Sequence, residues 1–408
     1  MNRCLLAVCC GLAAAAPLAA QAKKARHPKR PADATSVNAD TNSALNYYRY
    51  GMAKLEGDPS LASDALYWAI RLDPVSAEAL YARRVAMLRA DERRLIRYYQ
   101  GGGRARKEFL PMDSMLYRAR MIQPFLYQDL DRGMIQHYYR AAIETNLLRR
   151  YPDMDRNELR FEVERYVQTE MMRPDGDKWM AGWLAFSERR MPDALMYFGQ
   201  AMGKKHDKPW LHDERATVFF LTGQYDSAAA ELRHALDEMQ KEDDKELQII
   251  YQPKAMLQYR LAWVMLRKND SASAKEELSR ALEVDLSFYP AHMMLANMAL
   301  QEGDTATALR EGQMAVELHP VEALPYVRQA ELLLATGDHA GATAALNKVV
   351  EMEPFYARPY LLLGRAAEAI DRKPEALGHY QAYLARAMKG DNQATQVRAR
   401  IQALGGAP

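Results

Sequence analysis

The residues whose types could do chemistry are few and dispersed. Asp129-Leu130-Asp131 sets two carboxylates close together, the composition of a general acid–base pair. On a helix, residues i and i+2 do not share a face, so the pair reads instead as a complement to a helix N-terminus or as surface. Gly101-Gly102-Gly103-Arg104-Ala105-Arg106-Lys107 combines pliant backbone with cations, which suits an anion. It lacks the Gly-Lys-Ser/Thr ending and the preceding strand of a phosphate loop. It reads as an exposed loop whose best functional use is a basic contact to an anionic surface. The nine histidines are scattered, with no two at the i, i+4 spacing of a helical metal pair. His292, His319 and His339 read as a packing residue and two turn residues. No HExxH, GxSxG, Walker or Rossmann pattern occurs. The expectation is a chain without catalytic residues, bound metal or cofactor.

The elements that carry these residues repeat. Pro320 and Pro354 stand one period of 34 residues apart, as do Gly303 and Gly337, and the same period aligns Ala274, Ala308, Ala342 and Ala376. From Ser43 onward apolar residues recur at three- and four-residue spacing, with breaks at Gly-Asp and Asp-Pro dipeptides, so nearly everything is predicted helical. Four units lie in register over 255–390. In the third, Tyr326, Ala330, Gly337, Ala342, Leu346, Val349 and Pro354 mark the pattern, and in the fourth Tyr360, Gly364, Ala376, Tyr380 and Tyr383. Ala216, Gly223, Ala228 and Leu232 continue it backward, as do Gly182, Ala194 and Phe198, then Gly57, Ala62, Leu66 and Pro74.

This pattern closely resembles the tetratricopeptide repeat family. That family needs a small residue where two helix backbones approach, large apolar residues between them and a proline that stops the second helix. The resemblance implies an all-α fold: a right-handed superhelical solenoid of about nine antiparallel helix pairs with a C-terminal capping helix. It covers 43–76, 175–242 and 255–390, whereas 77–174 departs from it. There Ala77 to Ala90 and Ser114 to Gln123 read as one pair split by an oversized insertion, followed by a long helix from about Leu126 and another capped by Asp155. The expected organisation is a signal peptide at 1–22 and a basic disordered tether at 23–42. An N-terminal unit with expanded, degenerate repeats follows at 43–174. Units with a 12-residue insertion occupy 175–254, the in-register units 255–390, and a capping helix and tail 391–408.

In the family, ligands usually lie along the concave face, lined by the first helix of each pair. Carried onto this sequence, that face contains Trp179, Trp183, Trp210, Tyr259, Arg260, Trp263, Met293, Asn297, Arg328 and Arg365. Aromatic residues and methionines would anchor an apolar segment, and the arginines would favour acidic or C-terminal carboxylates. The lysine–asparagine clamp of chaperone-tail-binding members is absent, since Tyr259, Met293, Val327 and Leu361 stand where its lysine belongs. The expanded neighbours offer a rival arrangement, in which they fold over the groove and make these aromatics core.

Asn2 and Arg3, an apolar stretch from Cys4 to Leu18 and Ala20-Gln21-Ala22 have the form of a secretory leader. Export to the periplasm or beyond follows as an expectation. Lipidation is disfavoured, because Val8 before Cys9 is too bulky for a lipobox. All three cysteines lie in the leader, so the mature chain is expected to have no disulfide. The net charge of +2 makes no case for nucleic acid. Arg3 together with Lys23, Lys24, Arg26, Lys29 and Arg30 exceeds that total, leaving a weakly acidic body behind a basic tag that suits membrane or peptidoglycan. The expected function is a non-catalytic protein–protein scaffold of the cell envelope, holding an extended partner segment. The alternative is a glycan-binding or enzymatic protein with a site in 100–174. Neither the oligomeric state nor the identity of the partner is written in the sequence.

Overall fold

The computed structural model describes residues 27–35, 40–100, 106–172, 178–202, 209–243 and 254–407. The leader, Lys23 to Arg26, the glycine loop at 101–105 and most of the 12-residue insertion lie outside them. Among the described residues the chain is all-helical, with twenty α-helices, a short 3-10 turn at Ala32–Thr35 and no strand.

Most helices pack in consecutive antiparallel pairs. The first pair is α1 (Ala44–Lys54) with α2 (Pro59–Leu72), and α3 (Ala77–Arg89) pairs with α5 (Arg106–Ile122) across the intervening α4 (Glu92–Gln100). Then come α6 (Asp131–Arg150) with α7 (Arg156–Met172), α8 (Lys178–Ser187) with α9 (Met191–Ala201), and α10 (Pro209–Leu221) with α11 (Tyr225–Asp243). The four C-terminal pairs are α12 (Lys254–Arg267) with α13 (Ser271–Val284), α14 (Tyr289–Gln301) with α15 (Thr305–Leu318), α16 (Ala323–Ala335) with α17 (His339–Met352), and α18 (Arg358–Ala369) with α19 (Lys373–Leu384). Helix α20 (Asn392–Ala403) closes the stack against α19.

The period arises from local chemistry. The turn inside each of the six pairs from α8–α9 to α18–α19 holds one residue of positive φ, supplied at equivalent positions by Arg189, Gly223, Asn269, Gly303, Gly337 and Asp371. Glycine reaches this conformation without steric cost, and Asn or Asp at modest cost. The aspartate that follows Asn269, Gly303 and Gly337 caps the second helix: Asp270, Asp304 and Asp338 accept the N–H of Ser273, Thr307 and Gly341. The second helix ends at Asp73, His319 or Glu353, each in a non-helical conformation. The proline after each of them disfavours the α region. Between the helices of a pair, Ala194, Ala228, Ala274, Ala308, Ala342 and Ala376 are all fully buried. A larger side chain there would hold the backbones apart.

The expectation of a disordered tether over 23–42 is corrected for the part the structure describes. The Trp68 indole donates to the Pro28 carbonyl at 2.9 Å, and the His27 ring nitrogen meets the Tyr67 hydroxyl at 2.5 Å. The Arg30 guanidinium sits 4.3 Å from the Trp68 ring centroid and hydrogen-bonds the Thr41 carbonyl. Farther along, the buried Asp40 carboxylate accepts the Lys389 N–H at 2.8 Å, and Asn42 donates to the Ala385 carbonyl. The first unit meets the last units as well: Arg71 pairs with Glu353 at 2.6 Å and Trp68 packs edge-on to Phe355 at 5.3 Å. The two ends of the stack therefore hold each other.

Candidate functional site

The first helices of the C-terminal pairs present one continuous face, and the chain itself covers the part nearest their N-termini. Helix α5 carries two apolar stripes. Phe109, Met112, Met115 and Ala119 join the core of α1–α4, whereas Tyr117 and Met121, with Phe125 in the turn that follows the helix, join the core of α10, α12 and α14. Phe125 stacks on Phe220 with centroids 3.6 Å apart, and the Arg260 guanidinium lies 4.3 Å over its ring. The Tyr259 hydroxyl reaches the Met121 carbonyl at 3.3 Å, and Arg118 pairs with Glu322 at 3.5 Å. A helix apolar on two sides must be buried on both.

That cover settles where each expected groove residue stands. Tyr259, Arg260, Met293 and Trp183 are buried, at 5%, 3%, 8% and 8% exposure. Arg260 pairs with Asp213 and donates to Thr217, and Arg120 adds a second, looser contact to Asp213 at 3.9 Å. Burial, then the charge of Arg120, push the Arg260 pKa down, and burial pushes the Tyr259 hydroxyl up to about 12. The expectation that these residues face an extended partner is corrected: Tyr259, Arg260 and Met293 are core beside α5 and the turn after it, and Trp183 belongs to the core of α8–α10. Trp179 and Trp183 both donate their indole N–H to Glu214, at 2.9 Å from its nearer oxygen in each case. Trp179 is half-buried and meets the exposed Trp210 edge-on at 5.5 Å. Trp263 is half-buried, and Asn297, Arg328 and Arg365 are exposed. The spacing of the first-helix residues foretold which face they share; it carried no signal that half of that face is roofed.

The open remainder runs over α16, α18 and α20. One depression of 420 Å³ lies between α16 and α18, lined by Glu331, Leu334, His339, Arg358, Leu362 and Arg365. A second of 210 Å³ lies between α18 and α20, lined among others by Leu361, Arg365, Tyr380, Gln396 and Val397. Arg365 borders both. Its neighbours are engaged: Arg328 and Arg358 both pair with Glu331, at 3.0 and 2.5 Å, and Arg400 pairs with Glu368. The Tyr380 hydroxyl donates to Glu368 at 2.7 Å, which with burial pushes its pKa well above the usual tyrosine value. Arg365 has no carboxylate partner among the described residues.

A third depression, of 630 Å³, sits at the α6–α7 turn within the region of the alternative reading. Its apolar wall is Leu147, Tyr151, Pro152 and Met154, and its carboxylates are peripheral. Asp153 and Glu158 are exposed, and Glu162 is paired with Arg165 at 2.5 Å. Among the described residues no group of three or more His, Cys, Asp or Glu could hold a metal ion. No helix there is long and apolar enough to cross a membrane.

Comparison with known proteins agrees with this architecture. A tetratricopeptide repeat family model matches residues 259–323 and 327–391. No curated protein matches the chain. Among solved structures, the C-terminal part of a repeat-containing protein from Cytophaga hutchinsonii is 14% identical, with 55% of this chain and 81% of that one covered and a TM-score of 0.41. YrrB, described as a tetratricopeptide-repeat protein with an unusual peptide-binding site, is 18% identical over 50% of this chain and 97% of its own, with a TM-score of 0.38. A tetratricopeptide repeat protein from Parabacteroides merdae is 16% identical over 70% and 98%, at 0.35. The in-phase turns, caps and buried alanines of the C-terminal units agree with the tetratricopeptide repeat model matched over residues 259–323 and 327–391.

Proposed function

We propose that the chain is a non-catalytic scaffold that holds an extended segment of a partner protein along the open stretch of α16, α18 and α20. The observation that carries this reading is the pair of depressions that meet at Arg365, on the face left uncovered by α5. Repeat proteins of this family act as protein-interaction scaffolds, and an elongated surface of mixed apolar and cationic groups suits a chain rather than a small molecule. A cell-envelope setting is part of the proposal and rests on the leader pattern in residues 1–22.

Site-specific photocrosslinking in cells tests it. A benzophenone amino acid in place of the half-buried Leu334 should give discrete adducts with other proteins, whereas the same probe at Leu110, exposed on α5, should not. Equal adducts at both positions, or none at Leu334, would refute the groove. Fractionation of the same cells checks the setting: recovery of the chain with cytoplasmic markers contradicts export.

A further inference from the structure

We infer that the groove selects an internal acidic residue of its partner, received by Arg365 and flanked on both sides by apolar residues. This rests on the groove reading above and adds the chemistry of the occupant. Three observations carry it. The first is that Arg365 is exposed and lines both depressions, so a segment that runs through both must pass it. The second is charge bookkeeping along the face. Glu331 is shared by Arg328 and Arg358, and Glu368 is held by Arg400 and Tyr380, so each carboxylate of the groove is already neutralised. Arg365 remains as the guanidinium without a carboxylate among the described residues, and a guanidinium binds a carboxylate better than it binds any neutral group. The third is the apolar floor beside it: half-buried Leu334 with the edge of the buried Leu362 on one side, and the edges of the buried Leu361 and Val397 on the other.

The geometry also sets the order of the partner residues. Packed helices lie about 8–10 Å apart, and an extended chain advances about 3.3 Å per residue, so the apolar residues fall about two or three positions before and after the acid. A C-terminal carboxylate at Arg365 would leave the second depression empty. The occupant is therefore an internal segment.

The test is selection of random ten-residue peptides, capped at both ends and displayed against the full chain. The expected set carries Asp or Glu at one position, with apolar residues two or three away on each side. Binding of one such fluorescent peptide should weaken about ten-fold with Arg365→Gln. Arg365→Lys should keep part of the affinity, and converting the peptide's acid to its amide should lose as much as Arg365→Gln does. Added salt should weaken binding of the acidic peptide more than of its amide. Selected peptides without an acid, or an affinity unmoved by Arg365→Gln, overturn the acidic assignment while leaving the groove standing. Peptides that bind only with a free C-terminal carboxylate overturn the internal placement. Failure to select any peptide, together with no adduct at Leu334, overturns the groove itself.

Discussion

Phe125→Ala probes the claim that the chain roofs its own groove. Phe125 is buried, stacked on Phe220 at 3.6 Å and capped by the Arg260 guanidinium. Truncating a buried phenylalanine costs about 3–5 kcal/mol through lost transfer energy and the cavity left behind. The aromatic pair adds about 0.5–1.5 kcal/mol beyond burial. The expected loss is therefore about 4–6 kcal/mol, centred on the contact of α5 with α10 and α12. Stability in repeat stacks is distributed, so a local readout is needed. Amide hydrogen exchange in 209–221 and 254–267 should accelerate by about a thousand-fold or more, since each 1.4 kcal/mol is ten-fold. Exchange in α18–α20 should hardly change. Trp263, half-buried beside Tyr259, should shift its fluorescence to the red. Leu110→Ala, at a 66% exposed position of α5 itself, is the control. If both substitutions move the urea midpoint by the same small amount, the contact of α5 with the groove contributes nothing and the roof is wrong.

Three further perturbations test other joints. A Cβ on Gly364 would collide with the Tyr380 ring, which its hydrogen bond to Glu368 holds in place. Gly364→Ala should therefore lose about 1–3 kcal/mol from overpacking, more than the roughly 1 kcal/mol gained in helix propensity. Gly378→Ala, where a Cβ meets nothing within 4 Å, should be neutral or stabilising by urea denaturation. Asp40→Ala removes the buried acceptor of the Lys389 and Asn42 N–H groups, at about 1–3 kcal/mol, and should accelerate exchange near 385–391 without affecting α13. His379 has its pKa lowered from the ordinary 6.5 by burial, against the opposing charge of Glu375. Its neutral form is the one the fold favours, so the associated stability is complete above pH 6.5 and is lost as pH falls through the lowered value. Urea midpoints should therefore fall more between pH 7.5 and 5 in the wild type than in His379→Gln. Identical slopes would remove His379 from the account.

What the sequence made legible was what neighbours in the chain decide among themselves. The positive-φ turn residue, the aspartate after it, the proline that ends the second helix and the buried alanine between helices act within one period, so each leaves its mark at 34-residue spacing. The roles of α5 and of the N-terminal segment did not show, for different physical reasons. Tyr117 and Met121 form a second stripe on α5, continued by Phe125 in the turn after it, but the surface they cover includes Tyr259, more than a hundred residues later, and periodicity says nothing about distant partners. His27, Pro28 and Arg30 hold their places through a carbonyl, a ring nitrogen and a cation over an indole. Such contacts need no apolar pattern, so the stretch reads as a polar tether. Trp179 and Trp183 read as groove anchors because nothing in their spacing reveals that Glu214 accepts both indoles.

An open repeat stack has two weak ends, because a terminal unit has a neighbour on one side only. Here α20 covers one face of the last pair, and α1–α2 with the segment before it reach α17–α19 on another. Contacts between the first and last units add a coupling that a linear stack lacks, so opening at either end must also break contacts at the other. Tyr356 is buried next to Asp73 of the first unit and near Arg358 and Glu331 of the open face, and burial followed by the charge of Asp73 pushes its pKa up to about 12. The closure and the open face thus meet around one buried tyrosine. A partner reaching Arg358 and Arg365 meets a surface whose shape is fixed by contacts with residues nearly three hundred positions earlier. A surface held in place before binding loses less conformational freedom when it binds, which accounts for an open stack being folded back on itself when its own repeats would stack without that closure.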